Sequence, residues 1–112
     1  MATTRSQVLS HLIGTVLGQD ESSALALALN RENVTTLADL IGLFDHDIDT
    51  LMYSDKDKSG KNKKPQDVPR WAKRLLIILQ SYIHYQESEG VTDFTTLAKD
   101  DYNHYRLSLI HI

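Results

Sequence analysis

Val68-Pro69-Arg70-Trp71-Ala72-Lys73-Arg74-Leu75-Leu76-Ile77-Ile78-Leu79-Gln80-Ser81-Tyr82-Ile83-His84-Tyr85-Gln86 is the longest apolar-periodic run in the chain. Trp71, Leu75, Ile78, Leu79, Tyr82 and Ile83 recur at helical spacing and predict one continuous buried stripe. Pro69 suits a first turn, where its missing N–H is no loss. Gly90 supplies a stop. A helix this apolar must lie in a groove made by other helices.

Shorter helices are predicted on either side. Thr3 or Thr4 can cap a first one, whose face is Val8, Leu9, Leu12, Ile13, Val16 and Leu17, with Gly18 at its end. Asp20 is the expected cap for a second, Glu21 to Leu29, with Asn30 as a left-handed stop. Its Ala-Leu repeat alternates like a strand, but alanine and leucine are strong helix formers. Thr36 with Asp39 three residues on reads as a capping box for a short helix closed by Gly42. Asp45 is the expected cap of another, His46 to Met52, burying Ile48 and Leu51. Beyond Gly90, Asp93 or Thr92 caps a turn holding Phe94 and Leu97, and Asp100 or Asp101 a last helix with Tyr102, Tyr105 and Leu107. The apolar end, Leu107 to Ile112, packs on the core or is covered by a neighbour in a longer assembly. The chain thus reads as one all-α domain over residues 1–112, a small bundle of five to seven helices around one long helix.

Charge is segregated. Residues 1–53 carry two Arg against seven acids, residues 54–74 eight Lys and Arg against three Asp, and residues 75–112 two bases against five acids. Residues 54–67 hold five Lys and no apolar side chain, so they predict an exposed loop. A basic middle between acidic flanks points to self-complementary association.

Several function classes fall away. The chain has no cysteine, which removes disulfides, thiol nucleophiles and thiolate zinc sites. Asp55, Asp57, Ser59 and Gly60 match the start of an EF-hand loop, but Asn62 and Gln66 fail its later positions, and five lysines oppose a dication. The histidines never fall three or four apart on one helix face, and no phosphate loop, nucleophile elbow or paired-carboxylate signature appears. No catalytic, cofactor or metal site is therefore expected. No basic-then-apolar leader is present and no apolar run could span a bilayer, so a soluble intracellular protein is the expectation.

Two resemblances follow from particular residues. Asp39 and Leu40, then Asp47, Ile48 and Leu51, then Arg70 or Arg74 with Leu75 and Leu79, fit the frame of the sterile alpha motif (SAM), over roughly residues 20–89. Here the family's short loop before the long helix is replaced by the lysine-rich segment, and residues 91–112 run past its usual end. Residues 34–108, with Asp47-Ile48-Asp49-Thr50-Leu51-Met52-Tyr53 and Asp100 to Ser108, look like the helical N-terminal region of proteins of algal Copia-type retroelements. The first resemblance implies a SAM-like bundle that binds another helical domain or itself. The second implies a Gag-like or capsid-like assembly role.

The expected mechanism is docking of an acidic patch (Asp39, Asp45, Asp47, Asp49) of one copy onto a basic patch (Lys63, Lys64, Arg70, Lys73, Arg74) of the next, head to tail. Cations at the start of a helix oppose its dipole, which suggests a partner for them. The plainer reading makes both patches solvated faces. The alternative function is nucleic-acid binding through Lys56 to Arg74, against which stands the assignment of Trp71 to the core.

Overall fold

The computed structural model describes residues 6–55, 59–61 and 63–110, without the side chains of residues 109 and 110. Lys56, Asp57, Lys58, Asn62 and the expected caps Thr3 and Thr4 lie outside the described residues, as do His111 and Ile112 at the end of the apolar tail.

Short helices begin where side chains can satisfy their first N–H groups. The Ser6 hydroxyl accepts from the Leu9 N–H and opens α1 (Gln7–His11), which widens into a π-helical turn, Leu12–Val16. Ser23 does the same for α2 (Ala24–Arg31), accepting from the Ala26 N–H. Asp20 instead holds the turn before it, accepting from the Ser22 N–H and hydroxyl. The left-handed residue after α2 is Asn33, at φ 59°, rather than Asn30. The expected box of Thr36 and Asp39 is present and starts α3 (Leu37–Ile41).

Phe44, not Asp45, occupies the cap position of α4 (Asp45–Asp49). A phenyl ring cannot accept a hydrogen bond, so only the carboxylate half of a box exists: the Phe44 N–H donates to Asp47 Oδ2 at 2.9 Å. The helix ends three residues before the expected Met52. The Thr50 hydroxyl caps its last carbonyls, those of His46 and Asp47. Met52 and Tyr53 form β1 (Met52–Tyr53), paired antiparallel with β2 (Gln66–Asp67). This bridge clips the base of the lysine-rich loop and hands the chain to α5 (Arg70–Ser88), with Pro69 at its cap position. Gly90, at φ 89°, ends α5 in the left-handed region that favours glycine. A 3-10 turn at Phe94–Thr96, held by Asp93, leads into α6 (Lys99–Ile110). Among the described residues the domain is helical apart from the two-stranded bridge.

The core is built on α5, but its stripe is rotated from the expected one. Ala72, Leu76, Leu79, Tyr82 and Ile83 are buried, Leu75 and Ile78 only partly, and Trp71 is 57% exposed. The placement of Trp71 in the core is thus overturned. Trp71 stands in the first turn of α5, before α6 reaches it. Further along, Tyr102 donates to the Leu75 carbonyl at 2.8 Å, and Tyr82, Tyr102 and Tyr105 pack ring against ring. Around the stripe sit Leu9, Leu12, Ile13, Leu25, Leu29, Leu40 and Ile48, all fully enclosed. The His11 imidazole donates through Nε2 to the Leu97 carbonyl at 2.7 Å, tying α1 to the approach to α6.

Two consequences can be measured. Leu76→Ala is expected to lose about 2–5 kcal/mol in urea unfolding, the range for a cavity in an enclosed core. Trp71→Ala is expected to stay within roughly 0.5 kcal/mol, as at an open surface site. Equal losses at the two positions would restore the original stripe. The second consequence concerns pH. The Thr35 backbone N–H, followed by the Thr36 hydroxyl, holds the Asp39 carboxyl below its ordinary value. A depressed acid stabilises the fold above the unfolded carboxyl value, near 3.9, and ceases to do so as pH falls through the folded one. Asp39→Ala should therefore melt below wild type at neutral pH, and the gap should close in acid. A gap independent of pH would contradict this.

Candidate functional site

Two short-range facts fix how α4 and α5 meet. The Lys73 ammonium donates to the Asp49 carbonyl at 2.5 Å, at the end of α4. Two turns further along α5, the Gln80 amide donates to the carbonyls of Leu40 and Leu43, each at 2.9 Å, just before α4 begins. The two helices therefore run in opposite directions side by side, held at both ends. The bridge fixes the same geometry from the other side, since the Val68 N–H donates to the Leu51 carbonyl at 3.2 Å.

Between them lies an open groove of about 750 Å³. Asp45, His46 and Asp49 line one wall, with Asp67 at the end. Arg70, Lys73, Arg74 and Ile77 line the other. Ile48 and Val68 form the floor. The local sequence explains each wall. Asp45 and Asp49 are four apart and so share a face of α4. Arg70, Arg74 and Ile77 follow at four and three along α5, and Lys73 beside them turns toward α4.

The charges face one another without joining. The carboxylates of Asp45, Asp49 and Asp67 and the guanidinium groups of Arg70 and Arg74 make no ion pair or hydrogen bond with another described residue. Both arginines are exposed, and both sit in the first turns of α5, where their charge opposes the helix dipole. Ile77 is 43% exposed in the same groove.

The sequence-predicted residues divide. Asp45, Asp49, Arg70, Lys73 and Arg74 come together around the groove. Asp39 is engaged in the cap of α3 and Asp47 in that of α4, where Asp47 lines a different, small hollow with Glu32 and Leu43. Lys63 and Lys64 border another, with Tyr53, Asp55 and Gln66. The structure adds His46, Asp67, Val68 and Ile77. Ile77 carried a signal, since it falls one helical turn beyond Lys73 and Arg74. Asp67 carried none, because only the bridge brings it there. Of the residues expected in the core, Trp71 instead projects from the start of α5, in sequence between Arg70 and Arg74.

The groove lining holds no hydroxyl or thiol nucleophile. Among the described residues no three His, Asp or Glu converge to hold a metal ion, and no helix is long and apolar enough to cross a membrane. What the arrangement offers is two rows of opposite charge over an apolar floor. No protein-family model, curated protein or solved structure matches this chain.

Proposed function

We propose that the chain is a non-enzymatic interaction module that associates with its own kind through the groove between α4 and α5. One observation carries this reading: exposed acidic and basic rows border one groove and leave each other unpaired. The acidic row of one copy finds its complement in the basic row of another. The apolar floor and Ile77 supply the area whose burial drives association, while the charges set orientation and encounter rate. The resemblance of Asp39–Leu51 and Arg70–Leu79 to the SAM frame supports the same role.

Charge reversal tests it. Arg70→Glu with Arg74→Glu should hold the chain monomeric by light scattering, and Asp45→Lys with Asp49→Lys should do the same. An equal mixture of the two variants should regain the wild-type mass. Wild-type association should weaken as salt rises, because exposed charges are screened beyond ~10 Å at 0.1 M. Lys73 is left in place, since its ammonium braces the end of α4. A wild-type mass that stays at one chain at every concentration would reject self-association.

Nucleic-acid binding is the second reading, and the exposure of Trp71 favours it. An indole open to solvent among Arg70, Lys73 and Arg74 has the make-up of a single-strand stacking site. Trp71 is the chain's sole tryptophan, so its fluorescence reports directly. Binding predicts quenching by a short single-stranded oligonucleotide at low salt, reversed at high salt. Unchanged emission would leave protein association as the remaining role.

A further inference from the structure

Resting on the self-association reading, we infer that the partner copy docks face to face after a half-rotation, closing a twofold dimer instead of extending a chain. Head-to-tail growth needs two unlike patches on surfaces that a single docked neighbour leaves apart. Here the acidic and basic rows border the same groove. Their backbones belong to two packed helices, whose axes lie about 8–10 Å apart. A stable protein interface covers about 800 Å² on each partner, a patch roughly 28 Å across and so about three times that spacing. A copy seated on one wall therefore covers the other as well, and no patch is left for a third chain.

The half-rotation makes that single contact self-consistent. Turning a copy about an axis that lies in the contact plane, along the groove, brings its face onto the first copy and exchanges the two walls. The acidic wall (Asp45, Asp49) of each copy then meets the basic wall (Arg70, Arg74) of the other, so the ionic set is made twice. A half-rotation about an axis across the groove would instead set acid against acid and base against base. Ile77, part-exposed within the groove, supplies apolar contact inside the ring of charge, where water exclusion counts most. Phe44, 78% exposed at the cap of α4, is a second exposed apolar group, next to Asp45 in sequence.

Sedimentation of the whole chain over a wide concentration range decides the geometry. The expected result is a plateau at twice the 12.7 kDa chain mass, with no larger species however concentrated the sample. Ile77→Arg, at a part-exposed position, should give one-chain mass with an unchanged circular-dichroism melt. A mass that climbs past two chains without a plateau overturns the twofold dimer and keeps self-association. A dimer that survives Ile77→Arg places the contact elsewhere and overturns it too. One-chain mass for wild type throughout overturns both.

Discussion

Burial of one side of α5 is the constraint from which the rest follows. Helices of five residues, such as α1, α3 and α4, are far below the length at which a helix persists alone in water. They exist because Leu9, Leu40 and Ile48 find partners on the enclosed core around Leu76 and Leu79. Capping side chains then define where each begins. The division of labour is plain at α4, where Ile48 anchors the helix inward and Asp47 restrains its start, which frees Asp45 and Asp49 for the surface. The groove is thus a by-product of packing a very short helix against a long one, held by Lys73 at one end and Gln80 at the other.

The electrostatic character of the groove has a cost inside the chain. Cations at the first turns of α5 oppose its dipole, and an acid stands at the last residue of α4, where a cation would be preferred. Lys73 relieves part of this by donating to the Asp49 carbonyl. The carboxylates and the two arginines are not relieved in the same way. Fixed charges held apart on neighbouring walls are organised before any encounter. In the proposed dimer they would meet with little reordering of backbone, and preorganisation of this kind favours affinity and orientation together.

Much of this architecture was legible in the chain, and the failures are instructive. The capping box of Thr36 and Asp39 and the stop at Gly90 follow from local chemistry, and both are present. The stripe of α5 was misaligned because two series fit the same spacing. Trp71, Leu75 and Ile78 lead into Leu79, Tyr82 and Ile83 in one, and Ala72 and Leu76 lead into the same three in the other. Size favoured the first, through the tryptophan. Tertiary covering chose the second: Ala72 and Leu76 are enclosed, whereas Leu75 and Ile78 are only partly buried and Trp71 is exposed. The charged residues were visible as blocks. Their meeting at one groove was not, since it depends on the bridge and on the antiparallel run of α4 beside α5, neither of which local sequence encodes. Likewise Asp45 resembles a cap by type, yet the chain places Phe44 there and uses Asp47 in its stead.

The two-residue bridge between Met52–Tyr53 and Gln66–Asp67 separates the lysine-rich segment from the architecture it interrupts. The bridge holds the ends of that segment together, and loop closure costs little more as a loop lengthens: each doubling adds only about 0.6 kcal/mol of entropy. The bonds that hold α5 to the α4 region, from Lys73 and Gln80, lie outside that closure. A foreign peptide or fluorophore placed between Tyr53 and Gln66 would therefore enter where the two strands close the chain, apart from the bonds of Lys73 and Gln80.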